Sequence, residues 1–234
     1  MKILLNKRPK NPVIIEGFPS FGLVGSIATE FLIQHLKAEK IGSVTGDELM
    51  PITAVHDGQV IEPLGLYYSK KYNIVIVHAL AGTNGLEWKI SDMLMELSTM
   101  LNAKELISIE GIASRTGAGN VFYYTDFEKN KKKLESSGIK PLKEGIVMGV
   151  TGALISRAKG KTCFFVESDV QLADSMAAAK IIETLDNYLG LKVDPKPLLA
   201  AAKEFEAKLK GILEQSKHAV AAKEEREENL NYLG

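Results

Sequence analysis

Short apolar runs alternate along the chain with longer stretches whose apolar positions recur every three or four residues. That alternation predicts βαβ units and a largely parallel sheet. Val13-Ile14-Ile15, ending at Glu16-Gly17, reads as a strand, as do Ile74 to Val77, Leu106 to Ile109 (closing at Glu110-Gly111) and Thr162 to Val166. Three further runs, Thr53 to His56, Gln59 to Ile61 and Leu64 to Tyr68, predict a meander with Asp57-Gly58 as its hairpin turn, so the sheet is mixed. Helical periodicity covers Leu23 to Leu36, Glu87 to Leu101, Phe127 to Ser137 and Leu172 to Leu189, with Gly138 and Gly190 placed to cap the last two.

Beyond residue 195 the texture changes. From Pro197 the sequence is dominated by Ala, Glu, Lys and Leu, and Leu198, Phe205 and Ile212 recur at seven-residue spacing with Ala202 and Leu209 between them. This predicts a helix with one narrow apolar seam. The seam fades after Leu213, Lys223 to Glu228 is almost wholly charged, and the chain ends Leu230-Asn231-Tyr232-Leu233-Gly234. The expected organisation is an α/β core over 1–195 and a C-terminal helix with a charged tail over 196–234. The arm reads either as a helix that packs once on the body and then frays, or as a tether carrying a short peptide to a partner.

Composition narrows the functional classes. The 234 residues carry 29 Lys+Arg against 29 Asp+Glu. A neutral chain with no basic stripe lacks the footprint of a nucleic-acid binder. The length suits one large α/β domain or two small ones. The single cysteine, Cys163, has no partner for a disulfide and sits in an apolar run, which points to a reducing, cytoplasmic setting. No run approaches the ~18 apolar residues of a membrane span, and the N-terminus turns to charge after a few apolar residues, so no membrane partner is expected.

Candidate chemistry gathers where predicted strands end. Glu16, His78, Glu110 and Glu167, with Asp169 just beyond, fall at C-terminal strand ends, where open α/β sheets bind ligands. Three carboxylates and an imidazole there suit acid/base or metal chemistry. The competing reading is that they cap the following helices, since no HxxE, HExxH or DxD spacing ties two of them to one element. Glu16-Gly-Phe-Pro-Ser-Phe-Gly-Leu-Val-Gly25 joins a strand to a helix, and Gly22 and Gly25 either let a ligand approach the helix N-terminus or let the helix pack tightly on the sheet. It matches neither GxGxxG nor a Walker loop. Gly145-Ile-Val-Met-Gly-Val-Thr-Gly152 reads as a strand turning into a buried helix, or as a second crevice wall. None of Ser20, Ser114 and Ser168 lies in Gly-x-Ser-x-Gly, Cys163 reads as a core residue, and His35, His56 and His218 lie singly. Arg115 sits in a Gly-rich loop and either meets an anionic ligand or is simply solvated. No catalytic residue, metal ligand or cofactor is assigned.

The order of three motifs is informative: Glu16 to Gly25 leading into Ser26-Ile-Ala-Thr-Glu-Phe-Leu32, then Gly145 to Gly152, then Asp174-Ser-Met-Ala-Ala-Ala-Lys-Ile-Ile-Glu-Thr-Leu185 followed by Leu189-Gly-Leu-Lys-Val-Asp194. Over residues 10 to 215 the chain resembles the proteasome assembly chaperone 2 family, in its archaeal branch. The resemblance implies a three-layer α/β/α domain of the phosphorylase/hydrolase-like kind, with a mixed, mainly parallel sheet. It also implies homo-oligomerisation and a non-enzymatic role as scaffold or chaperone for proteasome α-subunits or a related protein. Some archaeal relatives end in hydrophobic-tyrosine-any residue, a peptide that enters pockets between α-subunits; here Tyr232, Leu233 and Gly234 stand in that place, with the tyrosine third from the end. The alternative function is an enzyme or small-ligand binder, hydrolase- or phosphorylase-like or ATP-dependent, with its crevice at Glu16, Gly22, Gly25, His78, Glu110 and Glu167.

Overall fold

A computed structural model of the chain describes residues 1–56, 59–113, 119–168 and 173–193, together with residue 200. Its strands in chain order are β1 (Lys2–Leu5), β2 (Val13–Gly17), β3 (Glu39–Thr45), β4 (Ala54–His56), β5 (Gln59–Ile61), β6 (Leu64–Ser69), β7 (Ile74–Ala79), β8 (Glu105–Ala113), β9 (Val121–Thr125), β10 (Lys140–Pro141) and β11 (Lys161–Ser168). The helices are α1 (Val24–His35), α2 (Glu87–Leu101), α3 (Glu128–Ser136), α4 (Gly149–Arg157) and α5 (Ser175–Leu189).

Nine strands form one sheet in the order β1-β3-β6-β7-β2-β8-β11-β9-β10. Its centre, β7-β2-β8-β11, is parallel, whereas β1, β3 and β6 form an antiparallel wing on one side and β9 runs antiparallel to β11 on the other. The parallel strands read as near-continuous apolar runs because both their faces are covered. On one face α1 and α5 bury Ile15, Ile76, Ile107, Phe164 and Val166; on the other, α2 and α4 bury Ile14, Val75, Val77 and Leu106. The arrangement is a three-layer α/β/α sandwich. Among the described residues no helix is long and apolar enough to cross a membrane.

Several elements depart from the sequence pattern. The predicted meander is split: β4 and β5 pair only with each other, while β6 joins the main sheet between β3 and β7. The unpredicted strands are mostly at the edges. β1 alternates exposed and half-buried residues, β3 is interrupted by a register shift between Lys40 and Gly42, and β10 has two residues, one of them Pro141. Gly145 to Met148 is not a strand; it is an irregular connection that leads straight into α4. The last long helix starts at Ser175 because the Asp174 side chain accepts a hydrogen bond from the Ala177 N–H at 2.8 Å and caps it there. Past α5, Leu191 and Val193 are buried in the same core layer as α1 and α5. The C-terminal arm, including Tyr232, Leu233 and Gly234, lies outside the described residues apart from residue 200.

Candidate functional site

The turn between β2 and α1 has its shape dictated by two close approaches. A Cβ on Gly25 would stand 2.8 Å from the Phe18 carbonyl oxygen and 2.9 Å from the Gly17 Cα, so the first turn of α1 lies directly on the end of β2. Gly22 has φ +63, a left-handed conformation suited to glycine, within the 3-10 turn that feeds the helix. Its carbonyl accepts a hydrogen bond from the Asp174 N–H at 2.8 Å, tying this turn to the start of α5.

Alternation along the strands then sorts the polar residues by face. Glu16 shares its face with Ile14, and Ser108 and Glu110 share theirs with Leu106, so all three look toward α2 and α4. Thr151, in the first turn of α4, donates to Glu110 Oε2 at 2.8 Å and lies 2.7 Å from the Ser108 hydroxyl. Beside this chain sits Glu16, 1% exposed, in register with Ser108, with Oε1 lacking any hydrogen-bond partner. Burial raises the Glu16 carboxyl to about 8, with the Ser108 hydroxyl opposing and the Glu110 charge adding to the shift. Burial likewise raises Glu110 to about 7, against the Ser20 and Thr151 hydroxyls near it, although the Ser20 Oγ completes no hydrogen bond.

The other predicted crevice residues are elsewhere. His78 projects from the opposite face of β7, toward α1, where Nδ1 lies 2.9 Å from Thr29 Oγ1 and Nε2 lies 3.5 Å from Glu30. Burial pushes this imidazole down from its ordinary value, with the Glu30 charge opposing. Glu167 accepts from the Asn120 backbone N–H at 3.1 Å and its side-chain amide at 2.8 Å. It borders a groove of about 680 Å³ near the sheet edge, whose walls include Phe122, Lys140 and Leu142. The six candidates are therefore divided: Glu16 and Glu110 together, His78 beneath them across the sheet, Glu167 in the edge groove, and Gly22 and Gly25 in helix packing. Of the lone groups, Cys163 is fully buried and His35 stacks on Phe31. Ser168 is buried, while Ser114, Arg115, Asp169 and His218 lie outside the described residues. Among the described residues no cluster of three or more His, Cys, Asp or Glu is arranged to hold a metal ion.

Sequence reasoning passed over Ser108 and Thr151, the two hydroxyls that organise the acid pair. Thr151 lies inside the Gly145 to Gly152 motif, and Ser108 is the one polar position in the run Leu106 to Ile109, so each carried a signal that only the sheet register makes readable. A second feature also went unnoticed: Trp88, Ile146 and Met148 are 50%, 88% and 62% exposed. Arg157 lies over the Trp88 ring, 4.2 Å from its centroid, and pairs with Asp92 at 2.8 Å, bridging α2 and α4.

This three-layer fold is shared with known proteasome-assembly chaperone homologues. The chain matches the PAC2 family over residues 14–213 and belongs to it. It superposes with a TM-score of 0.83 and 32% identity on Pyrococcus furiosus PbaA, an archaeal homolog of proteasome-assembly chaperone, covering 93% of this chain and 98% of that one. P. furiosus PbaB, an archaeal proteasome activator, shares the fold at a TM-score of 0.72 and 24% identity over 90% of this chain and 98% of its own. An uncharacterized protein of Methanocaldococcus jannaschii is 27% identical over 213 residues, 88% of this chain and 87% of that protein.

Proposed function

We propose that this protein is a non-enzymatic, homo-oligomeric scaffold or assembly chaperone of the cytoplasm that binds proteasome α-subunits, with its C-terminal residues Tyr232 to Gly234 contributing the contact. One observation carries the reading: the likeness to PbaA in sequence and in fold over 93% of the chain. The placement of His78 agrees with it, because an imidazole on the opposite face of the sheet from Glu16 and Glu110 does not converge with them on one reacting atom. An aromatic anchor on a charged tether has the chemistry for insertion into a pocket of another protein.

The test is recovery of α-subunits from the source organism's extract by full-length protein and by protein ending at Leu230. Full-length protein is expected to retain them and the truncated form to lose them by about tenfold or more, the scale of a single aromatic hot spot. Equal recovery removes the tail from the proposal, and failure of both forms to retain α-subunits, with the fold intact by circular dichroism, removes the proteasome as partner.

A further inference from the structure

Behind the half-buried Glu110, the acid–hydroxyl cluster holds a carboxyl that is cut off from solvent. Glu16 is buried and its Oε1 has no hydrogen-bond partner. In register beside it stand Val77 of β7 and Ser108 of β8, and beyond Ser108 comes Cys163 of β11, followed by Tyr124 of β9. The buried side chains that α2 and α4 lay over this face include no ionisable group. Glu110 follows two residues along β8, and the Ser20 hydroxyl of the β2–α1 turn opposes its shift. Burial, and after it the Glu16 charge, push the Cys163 thiol up, so it stays neutral. Lys161, two residues earlier on β11, is paired with Asp126 at 3.0 Å. Farther out, α2 contributes Glu87, Lys89 and Asp92, the last paired with Arg157, and β11 contributes Glu167.

An ionised Glu16 in this setting has only the Ser108 hydroxyl to offset its charge, and the Glu110 charge works against it. Admitting water relieves that cost, but the walls around the two acids are not equally firm. β2 and β8 are central strands paired on both sides, and α2 is fifteen residues long. α4 has nine residues, and Met148 at its N-cap makes no side-chain cap. Gly149, the first residue of α4, has φ +68, and a Cβ there would meet nothing within 4 Å. A left-handed glycine in open space can serve as a hinge. Beyond it, Thr151 latches the first turn to the sheet, its hydroxyl 2.8 Å from Glu110 and 2.7 Å from Ser108. Before it come Ile146 and Met148, whose apolar side chains are exposed.

We infer that the first turn of α4 is a proton-controlled door: it is seated on β8 while Glu16 is protonated, and it swings out on Gly149 when Glu16 and Glu110 both carry charge. The movement changes how Ile146 and Met148 are presented at the surface. Glu110, raised to about 7, ionises first, and Glu16, raised to about 8, completes the pair of charges just above neutrality.

Trp88, the chain's sole tryptophan, lines a surface groove with Met148, Gly149 and Gly152 and so reports on the door. In the full-length protein its emission is expected to shift between pH 6 and 9 with a midpoint near 8. Hydrogen exchange of the α4 peptide, residues 148–157, is expected to speed up over the same range once the base-catalysed intrinsic rate is divided out, while α5 keeps its protection. Glu16→Gln is expected to abolish both changes, whereas any response arising from other ionisable groups persists in it. An emission change of equal size in Glu16→Gln overturns the inference. So does a wild-type α4 peptide equally protected at pH 6 and 9, and so does exchange that rises in α5 as much as in α4, two outcomes that do not depend on the variant's folding.

Discussion

Glu16 shows how a single position can set a pH response. Its folded pKa of about 8 lies above the ordinary 4.5, so its full contribution to stability is present below about pH 4.5 and is lost as pH rises through about 8. Between those limits the slope from one such group approaches about 1.4 kcal/mol per pH unit. Gln fills the same space and cannot ionise. Thermal unfolding of Glu16→Gln and the parent at pH 5, 6.5 and 8 should therefore show the variant gaining on the parent as pH rises; melting curves that stay parallel would contradict burial of the charge. Glu110, raised to about 7 by the same cause, steepens the parent's slope over a lower window. The sequence placed Glu16 at a strand end, and that much was legible; Glu110, expected at an end as well, lies inside β8, which continues to Ala113. Which face each would occupy was not legible, because facing depends on the register of β2 against β8 and β7, to which residues far apart in the chain contribute. His78 illustrates the loss: one residue of alternation sent it to the α1 side.

At the scale of elements, competing magnitudes settle the sign of a substitution in α1. Replacing a helical glycine by alanine ordinarily gains up to about 1 kcal/mol. At Gly25 the new Cβ would press on the Phe18 carbonyl at 2.8 Å and on the Gly17 backbone at 2.9 Å, and such overpacking costs typically 1–3 kcal/mol. Gly25→Ala should lower stability in chemical denaturation; an unchanged or raised midpoint would mean that the helix can lift away from β2. Asp174 is a milder case. Loss of its cap on Ala177 should cost about 1 kcal/mol in Asp174→Ala, and Asp174→Asn, which keeps an acceptor, should recover most of it. The central strands and the three long helices α1, α2 and α5 could be read from periodicity because burial on both faces, or on one stripe, writes a strong pattern. Edge strands such as β1 and β10 bury little and pair on one side, so their residues carry almost none of that pattern. The Gly145–Met148 segment misled for the opposite reason: it is apolar without being buried, a combination expected of surface awaiting a partner.

For the whole molecule, the strand order has a consequence in time. β2 lies at the middle of the sheet, yet it is second in the chain, and its lateral neighbours β7 and β8 begin at residues 74 and 105. Sixty residues separate Val13 from Ile74, so at synthesis rates of about 5–20 residues per second the strand emerges roughly 3–12 s before its first partner. During that interval the Val13-Ile14-Ile15 run has apolar side chains and no sheet to join, and loop closure over such separations slows pairing further. The antiparallel wing of β6 and β7, whose strands are close in sequence, can form early. The central strand, made almost first, thus waits for both of its neighbours to be made.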